Sequence, residues 1–111
     1  MVKIQIEPAH GGNSGYLTAK GHAGNELLCN TITAICECLA VNLKDCWDVK
    51  LLRRDQPGDY SLRWSQTAKR SKGIDRANRA AGFAYNGLKA LERAYPQALE
   101  VEWKRGEAQR W

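Results

Sequence analysis

Residues 2–23, VKIQIEPAHGGNSGYLTAKGHA, contain two extended segments on either side of a glycine-rich turn. In the first segment, aliphatic and polar residues alternate up to Pro8, which is the pattern of a strand with one buried face. The aliphatic positions are Val2, Ile4 and Ile6. The composition of HGGNSG is typical of a turn, and YLTAKGHA, residues 16–23, predicts a second strand. The stretch therefore predicts an antiparallel hairpin, and with it a sheet.

Two later segments have the periodicity of helices. Apolar residues recur at steps of three and four between Leu27 and Trp47, and again between Ile74 and Tyr95, just before Pro96. We expect Asn25 to cap the first helix. The predicted buried stripe of that helix is Leu28, Ile32, Cys36, Leu39, Leu43 and Trp47.

A second hairpin is predicted between the helices. VKLLRRD and YSLRWSQ are separated by the turn at 56–59, and LEVEW, residues 99–103, predicts a final short strand. The element order is β-β-α-β-β-α-β. We therefore predict an α+β fold, a two-layer sandwich with two helices on one face of a mainly antiparallel five-stranded sheet. A single domain should span residues 1–105, followed by a tail at 106–111.

Composition and charge restrict the functional classes. The chain has 111 residues, 43% of them hydrophobic, which is enough for one small core. No apolar run approaches the roughly 18 residues of a membrane span, and the N-terminus lacks the pattern of a signal peptide. We therefore expect a cytoplasmic protein that has no membrane contact. The net charge of +5 permits a nucleic-acid partner without requiring one.

The four cysteines, Cys29, Cys36, Cys38 and Cys46, are expected to be thiols, because the cytosol keeps thiols reduced. Cys36 and Cys38 are two residues apart on a predicted helix, so their side chains diverge and do not form a metal-binding pair. We expect no metal and no cofactor. Most cysteines in an apolar stripe act as small hydrophobic residues.

Cys29 differs from the other three in its surroundings. It lies near the start of the first predicted helix, where free backbone amides favour an anion. His22 ends the preceding strand and could accept the thiol proton, since a cysteine attacks as the thiolate. The glycine before it, Gly21, could let the backbone approach a peptide and offer amide donors. An accidental His and Cys pair remains the alternative at this point.

The residues of this region resemble a known family. GHA at 21–23 and ELLCNTITAI at 26–35 are similar to the signature of the ribosomal-processing cysteine protease family, known as Prp. That signature has Gly-His-Ala, a variable loop, then Asp, two apolar residues and Cys at a helix start, with a serine four residues later. The order of strands and helices across nearly the whole chain is also similar. The loop between the histidine and the cysteine is several residues shorter here.

The resemblance implies a thiol protease that needs no cofactor. His22 and Cys29 fall on the catalytic positions of the family, Glu26 on its acidic residue and Thr33 on its serine. Members of the family are homodimers that remove a short N-terminal extension from a ribosomal protein precursor, and phage-borne relatives process virion proteins. A protein carrying +5 is a poor electrostatic partner for a free basic ribosomal protein, so an acidic substrate, or one held on RNA, would suit it better.

The alternative function is a small basic nucleic-acid-binding or ribosome-associated module without catalysis. Its cations would be the run Lys69, Arg70 and Lys72, with Tyr60 or Trp64 stacking on bases. The sequence has no recognised binding motif of this kind. The spacing of the aromatic residues favours the core or a dimer interface. We therefore expect only weak or indirect binding of nucleic acid.

Overall fold

The described residues form five strands and two helices in the order predicted from the sequence. The structure is a computed structural model, and it describes residues 1–10, 13–67 and 72–104. The elements are β1 (Val2–Glu7), β2 (Gly15–Gly21), α1 (Glu26–Lys44), β3 (Val49–Gln56), β4 (Asp59–Gln66), α2 (Lys72–Ala94) and β5 (Leu99–Trp103). The end of the predicted domain at residue 105, the tail at 106–111, and Lys69 and Arg70 of the basic run lie outside the described residues.

The sheet has the spatial order β3-β4-β2-β1-β5. The pairs β3–β4, β4–β2 and β2–β1 are antiparallel, and β1–β5 is parallel. Both predicted hairpins are confirmed, and so is the α+β sandwich with two helices on a mainly antiparallel sheet. The parallel pair was not foreseen, because it joins segments from opposite ends of the sequence.

The core lies between the sheet and the helices. Alternate residues of each inner strand point into it, as the two-residue period of a strand requires. Trp64 of β4 is fully buried. Its indole N–H donates to Asn78 Oδ1 at 3.1 Å, and the same Asn78 amide group bonds both the N–H and the carbonyl of Ala9. This polar clamp ties α2 to the end of the first hairpin without leaving the indole unsatisfied.

Helix α1 begins as predicted, with Asn25 as its N-cap. The Asn25 side chain accepts a hydrogen bond from the Leu28 amide at 3.2 Å. The helix ends at Lys44, so the prediction that Trp47 continues its buried stripe is wrong: Trp47 is 90% exposed. The chain turns after Lys44, and Cys46 is the residue that becomes buried. Tyr95 likewise lies just beyond α2 and is 48% exposed.

Of the described helices, α1 is long and apolar enough to cross a membrane, judged by length and composition alone. Its inner face packs on the sheet through residues that include Ile32, Leu39 and Leu43. Helices in the cores of soluble proteins have the same length and composition. Its outer face is also apolar in part, with Leu27 76% and Val41 60% exposed.

Candidate active site

A cavity of about 280 Å³ opens at the end of the sheet where β1 begins and β2 ends. Its floor is apolar, formed in part by Val2, Ala19 and Ile32. One wall is the start of α1 and the opposite wall is the β3–β4 turn, residues 56–59. The volume is near the lower end of the ~300–1,000 Å³ that ligand pockets occupy. It is therefore suited to one or two side chains of a larger ligand.

Cys29 lies in the first turn of α1, half-buried at the cavity wall. Its backbone amide donates to the Asn25 carbonyl, which begins the helical hydrogen bonding. Its Sγ accepts a hydrogen bond from the Ala23 amide at 3.4 Å. The loop from β2 thus directs a backbone N–H dipole at the sulfur, an arrangement that favours negative charge there.

His22 follows directly after β2 and lines the same cavity as Cys29. Its imidazole packs against the β3–β4 turn, because a Cβ added to Gly58 would lie only 2.7 Å from His22 Nε2. The turn is held there by a hydrogen bond from the Gly21 amide to the Gly58 carbonyl, 3.0 Å long. Among the described residues, no hydrogen bond joins His22 to the Cys29 sulfur. Catalytic hydrogen bonds are often loose until substrate binds.

Tyr60 closes the inner end of the cavity. Burial, reinforced by the carboxylate of Glu37, raises the pKa of its hydroxyl above the ordinary value. The Arg53 guanidinium stacks over the Tyr60 ring, 5.8 Å from the ring centroid, and is itself ion-paired with Glu37 and Asp55. The phenol therefore stays neutral at physiological pH and can act as a hydrogen-bond donor.

The structure brings together four of the five residues predicted for the site. Gly21, His22, Cys29 and Thr33 all line the cavity, whereas Glu26 does not. Glu26 is exposed in the first turn of α1, where a carboxylate interacts favourably with the helix dipole. The Gly21 amide is already engaged with the Gly58 carbonyl, so it is not free to stabilise an oxyanion.

The second hairpin contributes to the site, which was not predicted from the sequence. Tyr60 was predicted to lie in the core or a dimer interface, or to stack on bases in the alternative function, and residues 56–59 were predicted only as a turn. Both line the cavity beside Cys29. No local signal could have revealed this, because β4 reaches the site by pairing with β2. The spacing of the aromatic residues favoured the core or a dimer interface for Tyr60 and Trp64, and both are buried in the core.

The other three cysteines have different surroundings. Cys36 also lines the cavity but is almost fully buried, and burial, together with the nearby Glu37, raises the pKa of its thiol to about 12. Cys46 is buried, while Cys38 is exposed on α1. All four are free thiols. Across residues 1–10, 13–67 and 72–104, no group of three His, Cys, Asp or Glu side chains could hold a metal ion.

The structure thus places a half-buried thiol, Cys29, and an imidazole, His22, on one cavity of a two-layer α+β fold. Among solved structures, the fold is similar to that of the essential ribosomal processing protease Prp from Staphylococcus aureus. One such structure, in complex with a covalently linked product peptide, is 16% identical in sequence and has a TM-score of 0.72. The alignment covers 94% of this chain and 100% of the Prp chain. Another, with a substrate peptide, has 13% identity and a TM-score of 0.73 over the same shares.

A third similar structure is that of a protein from Streptococcus mutans. It has 16% identity and a TM-score of 0.68, and covers 96% of each chain. No family model matches the sequence, and no curated protein matches it either. The structural likeness confirms the expected resemblance to Prp at the level of the fold over nearly the whole chain.

Proposed function

We propose that this protein is a cysteine endopeptidase that removes a short N-terminal extension from a precursor protein. The observation that carries the proposal is the shared cavity of Cys29 and His22, with the Ala23 amide directed at the sulfur. The likeness in fold to a protease solved with substrate and product peptides supports it. The small apolar cavity suits a peptide side chain next to the bond that is cut.

The reaction needs only these two side chains and water. His22 accepts the thiol proton, and the Cys29 sulfur adds to the carbonyl carbon of the peptide bond. The C–N bond then breaks, and the amine leaves with the proton returned by His22. Water, deprotonated by His22, attacks the thioester and releases the new carboxylate together with the thiol. Thr33, exposed on the cavity rim, is available to contact the bound peptide.

The substrate is a ribosomal protein precursor or a phage virion protein, and the enzyme acts in the cytoplasm as a homodimer. An exposed apolar surface supports the dimer. Leu27 and Val41 are fourteen residues apart on α1 and so share its outer face, and Phe83 of α2 is 76% exposed. Val41→Glu would place a charge in such an interface, and we expect it to produce monomers in sedimentation velocity.

Cleavage of candidate precursors tests the proposed activity. The purified protein, incubated under reducing conditions with precursor proteins from its own source, should shorten one of them near an apolar residue at the N-terminal end. Cys29→Ala and His22→Ala should abolish cleavage. Cys38→Ala is the matched control, because it removes an exposed thiol from the same helix, and it should cleave normally.

Thiol reactivity gives a second measurement that does not need the substrate. Limiting iodoacetamide at about pH 6 should alkylate Cys29 before Cys38, since of the two only Cys29 accepts a hydrogen bond from a backbone amide and shares a cavity with His22. His22→Ala should remove this preference, as read by peptide mapping. A panel of precursors that stays intact, together with equal labelling of Cys29 and Cys38, would contradict the proposal.

A further inference from the structure

The face of the sheet opposite the helices carries a second, larger groove of about 560 Å³. Its lining includes four cations, Lys3, Lys20, Arg54 and Arg63, and one carboxylate, Asp59. The remaining lining is mostly polar, with hydroxyls from β2 and β4. The groove therefore has a strong excess of positive charge in a concave surface, which attracts an anionic ligand.

Two neighbouring lysines of this groove repel each other, although Lys3 also lies beside Glu100 of β5. Lys3 and Lys20 are direct neighbours across the β1–β2 ladder, and like charges opposite one another destabilise a sheet. Lys20 also faces Asp59 of β4, but the Asp59 carboxylate pairs with Arg54 at 3.3 Å. Within the described ranges, Lys3, Lys20 and Arg63 form no ion pair. An anion in the groove would relieve this repulsion.

The groove and the candidate active site lie on opposite faces of the sheet and adjoin at its end. Asp59 lines both the cavity and the groove. Lys20 immediately precedes Gly21 of the cavity wall, and Lys3 follows Val2 of its floor, with successive side chains on opposite faces. Because an extended residue spans ~3.3 Å, a few residues of peptide would reach from the cavity to the groove.

We propose that this groove binds an acidic segment of the substrate, next to the residues held in the cavity. The inference rests on the proposed protease function and adds a substrate class to it: precursors with Asp or Glu close to the cleavage site. Lys20 and Arg63 are the principal anchors, because both are exposed and free of ion pairs within the described residues. Substrate carboxylates supply the charge that the groove lacks.

The same face disfavours a long polyanion such as RNA. Glu100 and Glu102 of β5 border Lys3 and Gln5 of β1. Glu7 lies opposite Tyr16 across the β1–β2 ladder, so a third carboxylate borders the groove. Burial first, and then the charge and hydrogen bond of Glu7 and the charge of Glu102, raise the pKa of Tyr16. Tyr16 is also the one aromatic residue in the described lining of the groove, whereas proteins that bind single strands stack successive bases on several rings. A short acidic peptide along β2 and β4 avoids the acidic margin.

A binding experiment tests the groove without requiring catalysis. The probe is a fluorescein-labelled peptide that alternates glutamate and glycine, titrated with the full-length protein by anisotropy. Lys20→Gln/Arg63→Gln should weaken binding about tenfold, since each exposed charge pair contributes up to roughly fivefold. Lys44→Gln/Arg79→Gln removes the same charge from exposed positions on α1 and α2 and should change the affinity less than about twofold.

Two outcomes would overturn the proposal. Equal weakening by the two double variants would mean that only net charge matters. Tighter binding of an oligouridylate of equal charge, lost in Lys20→Gln/Arg63→Gln, would make the groove a nucleic-acid site. Cleavage is measured separately: for a cleavable peptide with a glutamate flank, the groove variant should raise KM about tenfold and leave kcat unchanged. If no peptide is cleaved but the probe still binds in the groove, the proposed protease function fails and the acidic-peptide site stands.

Discussion

Gly58→Ala should displace the His22 imidazole. The loss of folding stability should be little more than the backbone strain that an alanine at this position causes. Gly58 has φ of +72°, and an alanine in this left-handed region costs about 1–2 kcal/mol. Its Cβ would lie 2.7 Å from His22 Nε2, so the ring has to move by about 0.7 Å to reach an ordinary contact of 3.4 Å. The ring can move because the His22 side chain is exposed.

Gly24→Ala is the matched control for this substitution. Gly24 has nearly the same φ, +74°, but no atom lies within 4 Å of the point that an alanine Cβ would occupy, so the substitution costs backbone strain alone. Both variants should lower Tm by at least roughly 4 °C. Only Gly58→Ala should shift the ring signals of His22 in NMR spectra, with His10, at the opposite end of β1, as the internal reference.

The same displacement should be visible in catalysis. A misplacement approaching 1 Å costs up to about a hundredfold in rate, so Gly58→Ala should lose at least about tenfold in kcat/KM beyond any loss in Gly24→Ala. Identical His22 signals in the two variants would refute the contact between the turn and the imidazole.

Three further predictions concern the rest of the chain. Iodoacetamide at neutral pH should label Cys38 and spare Cys36, whose raised pKa and burial keep it a thiol until the protein is denatured; labelling of Cys36 in the native protein would contradict this. The hydrogen bond from Lys89 is the main cause that lowers the pKa of Glu92 in the folded protein. The ionised carboxylate therefore stabilises the fold fully above its unfolded-state pKa of ~4.3, and this stabilisation is lost as the pH falls through the lower folded-state pKa. Glu92→Gln should therefore make the free energy of unfolding in urea depend less steeply on pH at acid pH. The same pH dependence in the variant and the wild type would contradict this role of Glu92. Asn78→Ala leaves a buried indole N–H unsatisfied and should cost about 2–3 kcal/mol in thermal unfolding, with a loss under ~1 kcal/mol counting against the clamp.

Local features of the sequence predicted most of the fold, because strand alternation and helical stripes reflect which face each element buries. The stripe of α1 failed at Trp47, since periodicity does not mark where a helix ends and the chain turns. The Asn25 cap, by contrast, is a local hydrogen bond and was predicted correctly. The parallel β1–β5 pair depends on contacts between distant residues, which no short window contains.

Only the part of the candidate site that comes from one short segment of the sequence was predicted. Cys29 and His22 are near neighbours in the sequence, so their shared loop and helix start could be inferred from it. Tyr60 and the turn around Gly58 reach the cavity through sheet pairing, and nothing in their own sequence indicates the contact. Placing Glu26 in the site relied on resemblance alone, and the geometry puts its side chain outside the cavity.

The parallel pair also sets the order in which the protein can be completed during synthesis. The first hairpin can form soon after it leaves the ribosome, but the outer edge of β1 stays open until Leu99–Trp103 has been translated. Pairing over so long a separation is slow, and an open edge is a template for aggregation. Val2 pairs with Leu99 and also forms part of the cavity floor. The nascent chain therefore acquires a finished cavity only after Leu99–Trp103 has been translated and has paired with β1.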